Sequence, residues 1–122
     1  IVHSHSTNAT ALSTHNKKIP PFHYMVALAG GTDIKCAKYA TYGTRELSKN
    51  ILKALKNRSA CLIANHGQIT FGQSLTEAFE LAEEVDNLAK QYIKALVLGR
   101  PKLLSLNEMK KVLSKSKTYK RG

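Results

Sequence analysis

This sequence is short of the features that place a chain quickly: two cysteines, eight acidic residues, and no apolar run near the length a membrane helix needs. Each shortage excludes something. A bilayer-spanning helix takes ~20 consecutive apolar residues, and none is present, so a membrane-spanning protein is not expected. Cys36 and Cys61 sit in apolar surroundings without metal-type spacing, which excludes a disulfide scaffold or a cysteine–zinc knuckle. They read as small buried hydrophobes in a reducing compartment, and with no charged-then-apolar leader in view a cytoplasmic home is the expectation. No internal repeat or low-complexity segment interrupts the chain.

What is present is basic. Nineteen Lys and Arg against eight Asp and Glu give a formal net charge of +11. Counterion release from phosphates makes such a charge a nucleic-acid signal when it is clustered and interleaved with aromatics. Here it is scattered, over "KNILKALKNR" and the tail "KKVLSKSKTYKRG". A solvated lysine-rich surface is the expectation, nucleic acid is not expected as a partner, and the same field would attract a small phosphorylated substrate. The 43% hydrophobic content fits a folded domain, and 122 residues make one domain or part of one.

The chain alternates short strands and helices. "IVHSHS" reads as a strand, and "TNATALS" as a helix capped by Ser6 or Thr7. The prolines of "KKIPPF" break the chain before "FHYMVALA", a short apolar helix ended by Gly30 and Gly31. "TDIKCAKYA" reads as a strand, and "RELSKNILKALKNR" as an amphipathic helix capped by Thr44 with Leu47, Ile51, Leu52 and Leu55 on its apolar face. "ACLIA" and "QITF" form strands joined through Asn65, His66 and Gly67, a hairpin pattern. Ser74 with Glu77 opens the longest helix by a capping box; its stripe runs through Leu75, Ala78, Phe79, Ala82, Val85, Tyr92 and Leu96 and stops at Gly99. Ser105 with Glu108 repeats the device. Helices covering a sheet make this an α/β or α+β layered domain.

Five histidines carry the chemical interest: His3, His5, His15, His23 and His66. Residues two apart on a strand share a face about 6.6 Å apart, so His3 and His5 can reach one ion. His66, at a strand end beside a flexible glycine, is the natural third ligand of a site with an open position. His15 reads as a surface residue and His23 as a packed, hydrogen-bonded one. Spacing alone leaves two readings open, a metal site or a half-buried strand with idle histidines. Imidazole ligands suit Fe, Co, Ni and Cu as well as zinc.

The runs "VHSHSTNATALS", "IPPFHYMVALAGG", "CAKYATYGTRELS", "ANHG" and "LAEEVDNLAKQY" resemble, in order, the class II aldolase/adducin superfamily, and "HYM" with "YATYGTRELS" resembles its aldolase branch. The resemblance implies an α/β fold, a three-layer α/β/α domain with a mostly antiparallel central sheet. It implies zinc (Zn2+) held by His3, His5 and His66, polarising the carbonyl of a phosphorylated ketose of the fuculose 1-phosphate type that is cut to dihydroxyacetone phosphate and an aldehyde. It also implies Tyr24 as proton donor to the aldehyde oxygen from a neighbouring subunit, Tyr119 as a C-terminal tyrosine that helps close the site, and Tyr42 as a site-wall residue, a position held by phenylalanine in the aldolase branch. A homotetramer with sites between subunits follows from the same likeness.

Family members also carry an N-terminal portion that holds a catalytic glutamate and the phosphate-binding residues. Glu46, Glu77, Glu80, Glu83, Glu84 and Glu108 all fall on helix positions expected to face solvent, so none stands in for that glutamate. The expectation is that residues 1–122 are the C-terminal part of a single such domain, with the N-terminal portion absent and no aldolase activity as this piece alone. Sugar-phosphate epimerases and dehydratases of the same fold, and an adducin-like interaction module without chemistry, are the alternatives.

Overall fold

The computed structural model describes the backbone of residues 1–121 and the side chains of residues 1–116; the Tyr119 side chain lies outside the described residues. Four strands, β1 (Val2–Ser4), β2 (Cys36–Ala37), β3 (Ala60–Ile63) and β4 (Gly67–Thr70), form one sheet in the order β1-β4-β3-β2. The β1–β4 and β4–β3 pairings are antiparallel and β3–β2 is parallel. Helices α1 (Thr7–Ser13), α2 (Arg45–Ala54), α3 (Leu75–Leu98) and α4 (Leu106–Arg121) surround it, with a 3₁₀ helix at Tyr24–Ala29.

Strand alternation sorts the core into two sides. Ala60 and Leu62 of β3 join Ala9, Leu12, Val85, Leu88 and Ala89 in a cluster beneath α1 and α3. Cys61 and Ile63, the other face of β3, pack with Ala54 and Leu47 of α2, helped by Ile51 and Ile69. Strand β3 is buried along its whole length on both faces, as a central strand between helical layers must be. The result is an α/β fold with a small mixed sheet and helices on both of its sides. No helix among the described residues is long and apolar enough to cross a membrane.

Several local expectations were corrected by packing. The short apolar helix is 3₁₀, with His23 as its N-cap: the His23 Nδ1 accepts from the Met25 N–H at 3.0 Å. The strand expected across "TDIKCAKYA" shrinks to two residues, while Ile34 makes an isolated bridge to Ile19. Leu52 points to solvent from α2, and Leu75, Phe79 and Leu96 do so from α3. At 24 residues α3 is about 36 Å long, more than twice the span of a four-residue strand, so both its ends overshoot the sheet. Cys61 is fully buried but Cys36 only partly; burial pushes their thiols up to about 12 and about 11. Glu84, expected in solvent, is half-buried. Five of the eight acidic residues, Glu77, Glu80, Glu83, Glu84 and Asp86, nonetheless lie on this one helix.

One charged cluster staples the loops. Asp33 is buried and receives Arg58 and Lys18, the latter at 3.0 Å, while the Arg58 Nε also donates to the Asp33 carbonyl at 3.2 Å. This ties the segment before β2 to the turn before β3. Burial alone would raise the Asp33 pKa, but hydrogen bonds and charge from Lys18 and Arg58 outweigh it and hold the carboxyl below its ordinary value. A depressed carboxylate stabilises the fold above its unfolded-state pKa, and that contribution disappears as pH falls through the folded-state value. Asp33→Asn is expected to lower stability near neutral pH by about 1.5–3 kcal/mol, the worth of hydrogen bonds to a charged group. The difference from wild type should shrink in acid, as read from denaturant midpoints between pH 7 and pH 2.

A three-histidine cluster at the sheet edge

β1 and the β3–β4 turn bring His3, His5 and His66 together at one end of the β1–β4 pair, from segments far apart in the chain. In the register His3 pairs with Ile69, which places it, and with it His5, on the face of the sheet that carries α2. Helix α2 packs mainly over β2 and β3, and the imidazoles of His3 and His5 on the β1 edge are exposed. His66 follows Asn65, whose φ of 55° turns the chain out of β3 at modest cost for an asparagine. The three ring centroids lie 5.0, 4.9 and 4.9 Å apart, with mutual interplanar angles of 78°, 75° and 66°. One ligand nitrogen from each ring falls within 4.8 Å of the others.

These dimensions fit a tetrahedral ion. With Zn–N bonds of about 2.1 Å and each ring centre about 1.1 Å behind its nitrogen, three such imidazoles have centroids roughly 5 Å apart. The donor chemistry fits too. His3 Nδ1 lies 2.8 Å from the Gln68 carbonyl oxygen, which can only accept, so Nδ1 carries the proton and Nε2 keeps its lone pair for a ligand. Partial burial lowers the His66 pKa, and the neighbouring His3 and His5 lower it further; the neutral ring that coordinates a cation is thereby favoured. Three protein nitrogens with exposed approach leave a fourth position to an incoming oxygen.

Helix α1 holds the cluster from below. At its C-terminal end the Ser13 carbonyl accepts from the Asn65 N–H at 3.2 Å and the Ser13 hydroxyl from the His66 N–H at 3.3 Å. At its start, Ser6 occupies the N-cap position but gives no side-chain cap; its hydroxyl accepts from Gln68 Nε2 at 3.0 Å. The cap comes from α3, whose Asp86 takes the Asn8 and Ala9 N–H groups at 3.0 and 2.8 Å and the Asn8 amide at 2.9 Å. Ser13, Gln68 and Asp86 were not singled out by sequence reasoning. The available signal was polar Gln68 and Thr70 at the inward positions of an alternating strand.

The tyrosines are not part of this cluster on the same chain. Tyr24 is 54% exposed and stacks on His23 with ring centroids 4.9 Å apart; Tyr42 is 82% exposed. Neither makes a ring contact with the three imidazoles among the described residues. His15 is exposed and separate from the cluster, as its polar surroundings predicted. None of the half-dozen glutamates joins the three histidines among the described residues.

Residues 1–93 match the family described as the class II aldolase and adducin N-terminal domain. A 5-methylthioribulose-1-phosphate/5-deoxyribulose-1-phosphate aldolase of Rhodospirillum rubrum is 49% identical over 119 residues, covering 98% of this chain and 54% of the relative. An L-fuculose phosphate aldolase of Escherichia coli K12 is 48% identical over 120 residues, covering 98% and 56%. A solved structure of an L-fuculose 1-phosphate aldolase superposes with a TM-score of 0.90 at 44% identity, over 94% of this chain and 54% of that one. The chain thus spans about half the length of the curated relatives it matches.

The glycine after His66 is indispensable to the cluster. A Cβ at Gly67 would collide with the Ser4 carbonyl oxygen and press within 3.3 Å of the His5 Cα. Gly67→Ala is therefore expected to cost about 2–3 kcal/mol, near the upper end for single substitutions, because β1 must move away from the turn. Thermal unfolding of the two proteins without metal measures this; an unchanged midpoint would show that β1 yields freely.

Proposed function

The chain belongs to the class II aldolase and adducin family, and on that premise we propose that it provides the metal-holding part of a zinc-dependent aldolase acting on a ketose 1-phosphate. The observation that carries this reading is the convergence of three imidazoles from β1 and the β3–β4 turn at spacings suited to one ion. His3, His5 and His66 are the ligands in this reading. A zinc ion held there supplies Lewis-acid polarisation of a carbonyl, the electron withdrawal that cleavage of the neighbouring carbon–carbon bond requires. The aldolases of Rhodospirillum rubrum and Escherichia coli are both named for phosphorylated ketoses, which supports that substrate class here.

The chain's own residues do the rest of the work assigned to them. His3 presents Nε2 because Gln68 occupies its other nitrogen, and His66 stays neutral to lower pH than an ordinary imidazole. In this reading Tyr24, exposed on its own chain, serves a neighbouring subunit of a homotetramer. There its phenol donates a proton to the aldehyde oxygen in the condensation direction, a task for which an acid with a pKa of about 10 is suited. Tyr42 stands as a wall residue and Tyr119 as a closing residue of the same site. In this reading residues 1–122 form the C-terminal part of the catalytic domain, and the general base and phosphate-binding groups come from outside it. The setting is cytoplasmic.

Elemental analysis and a cleavage assay on the intact protein test this together. We expect about one zinc per chain, lost with turnover in His3→Ala and His66→Ala. Tyr24→Phe should keep its zinc and lose turnover by about 10²–10⁴-fold, the range for removal of a general acid. Zinc affinity should hold steady above neutral pH and decline in acid, as protons compete for the ring nitrogens. Retention of zinc and activity by His66→Ala would overturn the reading.

A further inference from the structure

We propose that Asp86, on α3 and outside the ligand set, is a positioning residue for the metal cluster, acting through the start of α1; the inference rests on the metal reading above. A helix leaves its first N–H groups without partners, and a side chain at the N-cap normally takes those of the second and third residues. Ser6 stands at that place, with extended φ and ψ of −62° and 146°, yet its hydroxyl makes no such bond. Those same two donors, on Asn8 and Ala9, go to one Asp86 oxygen, and the Asn8 amide goes to the other. A carboxylate at a helix start is further favoured by the helix dipole.

The arrangement frees Ser6 for a different task. Its hydroxyl receives Nε2 of Gln68, a fully buried residue whose backbone carbonyl orients His3. The same Nε2 lies 2.9 Å from the Ala82 carbonyl, one turn before Asp86 on α3. Burial alone would raise the Asp86 carboxyl, but the bonds from Ala9 and Asn8 outweigh it and hold it below the ordinary value. Asn8 follows His5 by three residues, so the carboxylate fixes the backbone within one helical turn of a ligand. At the far end of the same seven-residue helix, Ser13 grips the His66 backbone. Anchoring α1 thus sets His5 and His66 relative to each other, and Gln68 adds His3.

Asp86 reaches none of the three imidazoles directly, and its effect should therefore appear in metal geometry and affinity. The test compares Asp86→Ala and Asp86→Asn with Ser105→Ala, which removes the Ser105 cap on the Glu108 N–H at the start of the distant helix α4. Zn2+ affinity is measured by competition with a chromogenic chelator, and the visible spectrum is recorded with Co2+ in place of zinc. Asp86→Ala should weaken zinc by about 10–100-fold, as loss of an outer hydrogen-bonding partner does, and alter the cobalt bands. Asp86→Asn keeps one acceptor oxygen for the Asn8 and Ala9 N–H groups and should recover part of the affinity. Ser105→Ala should lose stability with affinity and spectrum unchanged.

Wild-type affinity and spectrum in Asp86→Ala would overturn the proposal. If the wild type takes up neither Zn2+ nor Co2+, the metal reading itself fails. The positioning role is then decided on the imidazole resonances of the metal-free proteins: a shift of His5 in Asp86→Ala and not in Ser105→Ala supports it, and an unmoved His5 overturns it.

Discussion

The close approach of Gly67 to the Ser4 carbonyl is the constraint on which the arrangement of this molecule turns. Only a residue without a side chain lets β1 lie flat against the β3–β4 turn at that point. Three consequences follow from the one contact. The antiparallel register of β1 on β4 is set, the His3 ring meets the Gln68 carbonyl, and an imidazole from the turn stands beside two from a strand more than sixty residues earlier in the chain. A cluster of imidazoles assembled from such distant segments needs a rigid base, and the doubly buried β3 provides it.

Polar groups inside the fold follow the same logic. Gln68 and Thr70 occupy inward positions of β4 where apolar residues would pack as well, and each donates to a backbone carbonyl of α3, Gln68 to Ala82 and Thr70 to Ala78. These bonds fix how far α3 can slide along the sheet, which a purely apolar contact would leave soft. Because Asp86 sits on that helix, the lateral position of α3 is passed to α1 and so to the loop ends that carry the histidines. Apolar burial holds the layers together, and a few directional bonds decide where they stop.

Much of this was legible in the sequence. The HxH pair, His66 before glycine, the caps at Thr44, Ser74 and Ser105, and the stop at Gly99 are local signals whose physics needs no tertiary context. What could not be read was set by packing partners. Ser6 looked like a cap because serine favours the residue before a helix, but a carboxylate eighty residues away competes better for the same donors. Leu75, Phe79 and Leu96 continue the apolar period of α3 yet are exposed on the described chain. Periodicity reports which way a residue faces and is silent on whether anything lies opposite. Tyr24 and Tyr42 carried a family likeness, yet on one chain they face solvent, which no single sequence could have shown.

The gathering of Glu77, Glu80, Glu83 and Glu84 on α3 has a bearing on how small ions meet this protein. Helix α3 covers the sheet face opposite the histidines, so five of the eight acidic residues of a strongly basic chain, these four and Asp86, lie behind the sheet. The resulting field is lopsided. An anion drifting in from solution is repelled by the back and drawn toward the front, where the imidazoles stand open. Its rate of arrival would fall as salt is added and the screening length shortens.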